Sequence, residues 1–400
     1  MRPLLALAFV SVAGACARGL AIPPVAPSGD LASSHDWSRV TAVIDSAISE
    51  GVMPGAVLGV SVGGRRMTYG SGRLGNSQPD RPDSTTLYDL ASLTKVIGLT
   101  TAVMVAVDRG QLDLDAPVQR FVPAFRGEHK NRVTIRHLLT HTAGLPAWRP
   151  LFRETASRRE ALALADSTPL DTLPGRATVY SDIGAIVLTQ AVEFVWGMRI
   201  DTILGQVVFP ALGMPHTTYL PSTMARPRIA PTENDPWRGR VLWGEVHDEN
   251  AARLEGVSGH AGLFSTAGDL LTFGEWFLAG VADAEEDPRC KGDRPTGLPL
   301  LACAGPLFHE FTEPQLLVPG SSRALGWDTP NGTNSAGSLL SPSSFGHTGF
   351  TGTSIWIDPS RNLVLVLLTN RVHPSRERSR IGPIRRAVSD AVVRALSPGR

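Results

Sequence analysis

The sequence predicts an α+β fold in which an antiparallel sheet, flanked by the N- and C-terminal helices, carries an inserted and mainly helical region. Strand patterns lie near both ends of the 400-residue chain, whereas residues from about 96 to 260 show helical periodicity and Pro-rich loops. Hydrophobic residues make up 42% of the chain, which is ample for a core. We expect one domain over residues 36–400, with its sheet part at about 36–90 and 320–400 and its helical part at about 91–319.

The domain is predicted to begin with a helix and a hairpin. Trp37 to Glu50 has apolar residues at helical spacing, and Gly51 follows it. The β-branched run from Ala56 to Val62, the turn Gly63-Gly64 and the run from Arg65 to Gly70 together predict two paired strands.

The rest of the domain is predicted in the same way. Helices are expected at Thr134 to Thr140, Ala185 to Trp196, Ile200 to Leu212 and about Ile381 to Leu396. Strands are predicted at Ser354 to Ile357 and at Leu363 to Leu368, and the whole stretch from Phe350 to Ile357 is strand-like. The turn residues Asp358 to Asn362 lie between them, which predicts a C-terminal hairpin.

The N-terminus predicts export. Leu4 to Ala13 is apolar, follows one positive charge and is too short to span a bilayer, as in a secretory signal. Ala13-Gly14-Ala15 precedes Cys16 and resembles the lipobox of bacterial lipoproteins, although the usual first residue of that box is Leu, so plain secretion stays an alternative. We therefore expect a signal peptide at 1–15, a tether at 16–35, and a protein in the periplasm or cell envelope with a lipid anchor at Cys16.

An oxidising compartment changes the interpretation of two further cysteines. Cys290 and Cys303 lie in a Pro/Gly-rich stretch and are predicted to form a small loop disulfide, the alternative being two unpaired thiols. The formal net charge of +1 gives no reason to expect nucleic acid as a partner. Nothing indicates an oligomeric state.

Ser92 and Lys95 stand three residues apart, just ahead of an apolar run from Val96 to Ala106. Positions i and i+3 share a helix face. A helix that begins at Ser92 would place its hydroxyl at the positive end of the helix dipole, with the Lys95 amine one turn along to accept its proton. Only three of the 38 basic residues are lysines, and arginine cannot act as a base. The pair is a candidate nucleophile and base, although such a pair also occurs at ordinary helix starts.

Two further short patterns follow in the chain. Tyr180-Ser181-Asp182 precedes an apolar helix, and His347-Thr348-Gly349 precedes the C-terminal hairpin. Alone, the first is typical of a helix cap and the second of a turn. In the order Ser-x-x-Lys, Tyr-Ser-x, His-Thr-Gly, the three resemble the serine β-lactamase and penicillin-binding protein superfamily, specifically its class C β-lactamase and D-Ala-D-Ala carboxypeptidase branch.

The resemblance covers roughly Trp37 to Leu396. It includes His137 to Pro146, Gly262 to Leu271, Gly326-Trp327 and Leu368-Thr369-Asn370. Further segments, at 235–239, 246–251 and 259–262, resemble a bacterial subgroup of exported serine hydrolases whose substrates are mostly unassigned.

The resemblance implies acyl transfer. Ser92 would attack a carbonyl, Lys95 with Tyr180 would take and return its proton, and the backbone N–H groups of Ser92 and Phe350 would form the oxyanion hole. His347 and Thr348 would hold a substrate carboxylate or assist proton relay. The family often has Lys where His347 stands, and the His-Thr-Gly version occurs in its carboxypeptidase and esterase members. Gly349 would let the strand edge approach the substrate.

Two local features qualify this assignment. Asp182 is counted among the substrate-binding residues but stands where much of the family has Asn, so that a carboxylate replaces an amide donor. His247, Asp248, Glu249 and His260 match no known zinc spacing, and we interpret them as a hydrogen-bonded loop. We expect neither a metal nor a cofactor.

The expected function is an exported serine hydrolase that cleaves an amide or ester through an acyl-enzyme on Ser92, as a D,D-peptidase or esterase does. The expected substrate is a small molecule or a peptidoglycan peptide. The alternative is a non-catalytic, penicillin-binding-like sensor or binding protein.

Overall fold

The computed structural model of the chain describes residues 28–282, 300–301, 304–377 and 380–397. The expected signal peptide, Cys16, most of the tether, and both Cys290 and Cys303 lie outside the described residues. The domain boundaries, the lipid anchor and the disulfide therefore stay predictions.

Within the described ranges ten strands are formed: β1 Gly55–Val62, β2 Arg65–Gly72, β3 Tyr88–Asp89, β4 Thr218–Tyr219, β5 Asn234–Asp235, β6 Arg240–Val241, β7 Leu263–Ser265, β8 Phe345–Thr348, β9 Ser354–Asp358 and β10 Leu363–Thr369. The α-helices of the described residues are α1 Ser38–Ser49, α2 Thr101–Asp108, α3 Ile135–Leu139, α4 Leu151–Glu154, α5 Arg158–Ser167, α6 Asp182–Trp196, α7 Ile200–Ile203, α8 Phe209–Leu212, α9 Glu249–Arg253, α10 Ala267–Ala282, α11 Gly305–Thr312 and α12 Ile381–Leu396.

The main sheet has five strands in the order β2-β1-β10-β9-β8, and all its pairs are antiparallel. The N-terminal and C-terminal hairpins are joined through β1 and β10, where Ala56 pairs with Thr369. This arrangement confirms the predicted α+β class, with its sheet built from both ends of the chain.

Both faces of this sheet are covered, as the alternation of side chains along β10 shows. Leu365 and Leu367 pack in one cluster with residues of α1 and α12, whereas Val364 and Val366 pack in the larger core that includes Phe273 of α10. Successive residues of a strand point to opposite faces. The apolar run of β10 therefore fills two layers, and the terminal helices cover one of them, as predicted.

The expected motif helix is broken into three parts. Ala91–Leu93 forms a 3₁₀ turn, Lys95–Thr100 forms a π-helix, and only then does α2 begin. The hydroxyl of Thr101 donates to the carbonyl of Val96, 3.1 Å away, across the widened turn. The apolar segment Ala91–Asp108 is 83% buried inside the protein, as the central helix of a core is.

Two local expectations need correction. Residues 350–353 are not part of a strand, because Gly349 N–H bonds to Thr353 O and closes a turn, so that β9 begins at Ser354. The expected helix from Ile200 to Leu212 is interrupted by a π-helical turn at Leu204–Val208. Strand β8, which contains His347, was not predicted.

Candidate active site

Ser92 lies in the single 3₁₀ turn between β3 and the π-helix. The residue before it, Ala91, has a φ of +46°, a left-handed conformation that is rare for a residue other than glycine. The Ala91 N–H donates to Asp89 Oδ1 at 2.8 Å, and the other oxygen of Asp89 accepts from His247 N–H at 2.6 Å. Burial raises the pKa of the Asp89 carboxyl against these bonds. Strain of this kind is stored at functional sites, and here a buried carboxyl fixes the turn that carries Ser92.

Lys95 is 3% exposed and points at three acceptors. Its Nζ donates to Ser92 Oγ at 3.1 Å and to His260 O at 2.9 Å, and it forms an ion pair with Asp182 Oδ1 at 2.7 Å. The hydrogen bonds to Ser92 and His260 use two of the three ammonium protons, and the Asp182 carboxylate faces the same nitrogen as an opposite charge. Burial acts to lower the pKa of Lys95, but Asp182 and Tyr180 outweigh it and the pKa is raised. Lys95 is therefore held as a cation.

Tyr180 is the second group beside the nucleophile. Its hydroxyl is buried and makes no well-formed hydrogen bond to any residue in the described ranges, although Ser92 and Lys95 lie close enough to lower its pKa. Burial outweighs their effect, and the pKa of Tyr180 is raised. The Lys95 Nζ lies 5.0 Å from the centre of the Tyr180 ring. A buried hydroxyl without a partner next to a serine is placed to exchange a proton with it.

His347 and Thr348 belong to β8, and the centre of the His347 ring lies 5.8 Å from that of the Tyr180 ring. His347 Nδ1 lies 2.9 Å from Thr348 O, and because a carbonyl only accepts, Nδ1 carries the proton. Burial, with the nearby charges of Arg323 and Lys95, holds the pKa of His347 well below its usual range. His347 is therefore a neutral residue with a free acceptor at Nε2.

Gly349 is also needed for packing within the protein, while its expected role beside the substrate stays a prediction. A Cβ at this position would lie 2.3 Å from Leu90 O and 2.2 Å from Thr353 Oγ1. Both distances are too short for any side chain. The glycine lets the turn at 349–353 pack against the residues just ahead of Ser92.

Phe350 presents its backbone and its ring at the mouth of the site. Arg371 Nε donates to Phe350 O at 2.8 Å, and the Arg371 guanidinium lies 4.4 Å from the ring centre. The ring also stacks on His247, with centroids 5.6 Å apart, and remains 49% exposed. The residue whose N–H is expected in the oxyanion hole is thus held in place from two sides.

A cavity of about 500 Å³ opens beside these groups. Its lining residues are Ser92, Tyr180, Arg323, Asp328, His347, Thr348, Gly349, Phe350, Arg371, Ile381, Gly382 and Arg385. Three of these are arginines and one is an aspartate. Asp182 does not line the cavity, because its Oδ1 is turned to Lys95.

The three arginines have no carboxylate partner within the described residues. Arg371 and Arg385 donate to the backbone carbonyls of residues 349, 350 and 353. Asp328 is bound by Ser322 and Asn334 instead. The Arg323 guanidinium makes no hydrogen bond to any described residue, and its Nη1 is buried. The cavity therefore carries a net positive charge.

The histidine and acid residues of the 233–260 region form hydrogen-bonded pairs, as interpreted from the sequence. His260 Nε2 lies 2.9 Å from Asp248 Oδ1, and His247 Nε2 lies 2.9 Å from Glu233 Oε2. Arg376 joins Glu233 to Glu249. Through His260 O this loop supports Lys95, and through His247 it supports Phe350.

The structure thus brings all the sequence-predicted site residues around one centre, while their catalytic roles stay predictions. Sequence reasoning missed Asp89 and the three cavity arginines. The arginines come from separate parts of the chain, and no local pattern marks them among 35 arginines, so only the fold could reveal them.

A model of the β-lactamase family matches residues 40–389. The chain belongs to the β-lactamase family. This confirms the resemblance found in the sequence and makes the protein a serine hydrolase. A protein of Escherichia coli strain K12, named "Putative D-alanyl-D-alanine carboxypeptidase", is 32% identical over 331 residues, which cover 74% of this chain and 71% of that one. A protein of the same name from Salmonella typhimurium strain LT2 is 31% identical over 342 residues, with 77% and 74% covered.

Solved structures of the β-lactamase family share the fold. A class C β-lactamase from Rhodobacter sphaeroides aligns with a TM-score of 0.69 at 24% identity, over 90% of this chain and 99% of that one. A β-lactamase/D-alanine carboxypeptidase from Pseudomonas syringae aligns with a TM-score of 0.70 at 20% identity, over 90% and 99%. At these identities the likeness concerns the fold alone, and it agrees with the predicted β-lactamase/transpeptidase-like architecture.

Proposed function

We propose that this protein is a D,D-carboxypeptidase-like hydrolase, which removes the C-terminal residue of a peptidoglycan-type peptide through an acyl-enzyme on Ser92. The observation that carries the proposal is the positive cavity next to Ser92. A free C-terminal carboxylate is the anionic group that a carboxypeptidase substrate offers, and guanidinium binds carboxylate well. Two relatives named as D-alanyl-D-alanine carboxypeptidases support the same substrate class.

The first half of the reaction forms the acyl-enzyme. Tyr180 acts in its deprotonated form, a phenolate that the Lys95 ammonium stabilises and that is the minor form at neutral pH because burial raises the pKa of Tyr180. This phenolate takes the proton of Ser92 and becomes a phenol as the Ser92 Oγ adds to the scissile carbonyl. The N–H groups of Ser92 and Phe350 stabilise the oxyanion. The C–N bond then breaks, and the amine of the departing residue takes the proton from Tyr180.

The second half restores the serine. A water molecule adds to the acyl ester, and Tyr180 receives a proton from it. The ester C–O bond breaks, the acid leaves, and the proton passes to Ser92 Oγ. Each bond that forms is matched by one that breaks, and Tyr180 ends in its starting state.

The test compares a peptide that ends in D-Ala-D-Ala with the same peptide as its C-terminal amide. We expect the wild type to cleave the free acid with a kcat/KM about 10- to 100-fold above that of the amide, since a charge-assisted contact contributes about 1.5–3 kcal/mol. Arg323→Gln should remove most of this preference. Arg39→Gln, an exposed residue on α1 and so a charge-matched control, should retain it. Equal cleavage of acid and amide by the wild type would refute the proposal.

The alternative function is a sensor that is acylated on Ser92 but releases the acyl group extremely slowly. It predicts stoichiometric labelling by the peptide or by a fluorescent penicillin with no turnover. Repeated turnover of the D-Ala-D-Ala peptide excludes this alternative.

We further propose that the protein acts outside the cytoplasm, anchored by lipid at Cys16. The apolar N-terminal run and the small residues before Cys16 support export. A peptidoglycan substrate would be met in the same compartment.

A further inference from the structure

The segment from Thr140 to Ala147, which contains the His-Thr-Ala-Gly-Leu-Pro signature, has no part in the reaction described above. It nevertheless forms a continuous set of contacts with residues 171–182, the segment that carries Tyr180. Asp171 N–H donates to Gly144 O at 2.8 Å, Gly175 N–H donates to Thr142 O at 2.8 Å, and Asp182 N–H donates to Ala147 O at 2.9 Å.

The fit between the two segments is tight. A Cβ at Gly144, whose φ is +82°, would lie 2.1 Å from Thr172 O. Ser181 Oγ donates to Pro146 O at 2.7 Å and accepts from Gly184 N–H at 3.0 Å, so it caps α6 and binds the signature at once. The signature segment therefore fixes the backbone on both sides of Tyr180.

His141 makes the contacts nearest to Tyr180. Its carbonyl accepts from Val179 N–H at 2.9 Å, and its Nδ1 accepts from Ser181 N–H at 3.1 Å. These are the residues directly before and directly after Tyr180. The His141 and Tyr180 rings also touch, with centroids 4.6 Å apart.

We propose that His141 is a positioning residue, which holds the backbone on both sides of Tyr180 and its ring so that the phenol oxygen meets Ser92. This inference rests on the proposed role of Tyr180 as the proton acceptor. A displacement of about 1 Å in a reacting group costs roughly 100-fold in rate, and the two backbone bonds are the contacts that prevent such a displacement.

Two properties of His141 fit this role. Its φ of +57° turns carbonyl and ring toward the same segment, a conformation that Asn tolerates far better than most residues. Burial, with the charges of Arg323 and Lys95, holds the pKa of His141 well below its usual range. The ring is therefore neutral, and Nδ1 keeps the lone pair that accepts from Ser181.

The experiment compares His141→Ala and His141→Asn with a control. Asn places an amide oxygen near the position of Nδ1 and so keeps the acceptor, whereas Ala removes it. His129 is also left-handed, with a φ of +61°, but it lies outside the site, so His129→Ala controls for the backbone cost of the same change. Measurements are kcat, KM, the pH profile of kcat/KM, the labelling rate of Ser92 by a fluorophosphonate, and Tm.

We expect His141→Ala to lower kcat and the labelling rate about 100-fold, to change KM by less than about threefold, and to shift the pH profile. His141→Asn should recover at least about tenfold of the loss, and His129→Ala should match the wild type. Folded His141→Ala with wild-type kcat and pH profile would overturn the proposal. If His141→Ala does not fold, a folded His141→Asn with a 100-fold loss would overturn it as well. Retained activity in Ser92→Ala would instead refute the proposed function itself.

Discussion

Replacing Asp182 by Asn tests whether the ion pair between Asp182 and Lys95 prevents Lys95 from acting as the base for Ser92. Lys95 Nζ and Asp182 Oδ1 are 2.7 Å apart, with side chains only 4% and 18% exposed. At an effective dielectric constant of about 20, this attraction amounts to roughly 6 kcal/mol. If relaxation of the protein removes half of this attraction, about 3 kcal/mol still depends on the carboxylate. That energy changes the fraction of neutral Lys95 amine by roughly a factor of 100.

The substitution should therefore make Lys95 available as a base. Without the carboxylate, burial dominates and lowers the pKa of Lys95. A base acts in its deprotonated form, so the acid limb of the kcat/KM profile should move to lower pH. An Asn amide can also donate to the carbonyl of an acylamino side chain, which an ionised Asp cannot do.

The assay measures kcat/KM against pH for a chromogenic cephalosporin and a short p-nitrophenyl ester. The wild type should turn over the cephalosporin weakly or not at all and the ester better. Asp182→Asn should gain about tenfold or more on the cephalosporin, given how much one hydrogen bond to a charged or polar group contributes.

A second buried aspartate supplies the control. Asp166 is 4% exposed and accepts from Gln190 at 2.7 Å, outside the site, so Asp166→Asn removes a similar charge without touching Lys95. Efficient cephalosporin turnover by the wild type would refute the reasoning. So would a loss of that activity in folded Asp182→Asn, or an unmoved pH profile.

The remaining predictions concern the nucleophile, the location and the acid stability of the protein. Ser92→Ala should abolish covalent labelling by a fluorophosphonate. Lys95→Arg should nearly do so, because the planar guanidinium cannot reproduce the three contacts of the amine, and full labelling of Lys95→Arg would contradict the assignment. Cys16→Ser should move the protein from the membrane fraction to the soluble exported fraction, whereas an unchanged distribution would argue against lipidation at Cys16. Burial acts to raise the pKa of Glu233, but bonds from His247 and Arg376 lower it to about 2, so its stabilising effect is complete at neutral pH and is lost as the pH falls from about 4 toward 2. Thermal unfolding should then give Glu233→Gln a lower Tm than the wild type at pH 7 and a smaller difference near pH 2; an equal difference at both would be the contrary result.

Local pattern predicted the parts of the fold that local physics determines. The helix ending at Leu396 and the hairpin of β9 and β10 follow from apolar spacing and turn residues, and both lie where expected. The order of three short motifs predicted the family because its chemistry needs a serine, an amine and a phenol in one place.

The features that could not be predicted from the sequence depend on contacts between residues far apart in the chain. The π-helical turn after Lys95 and the left-handed Ala91 depend on packing against distant residues, so helical periodicity gave a single helix instead. No local sequence pattern identifies Arg323 as a site residue, because its role depends on the cavity that it lines together with Tyr180 and His347. Asp182 was noticed as a departure from the family, but only the fold shows its carboxylate against Lys95.

Strand β1 cannot complete its pairing until the end of the chain has been synthesised, because its partner β10 lies near the C-terminus. The N-terminal hairpin of β1 and β2 is synthesised first. The edge of β1 that pairs with β10 then remains unpaired while the helical region is synthesised. Closing so large a loop is slow, and an open strand edge is a site of aggregation in the meantime. Chains truncated before β10 should therefore accumulate as insoluble material rather than as a smaller folded domain.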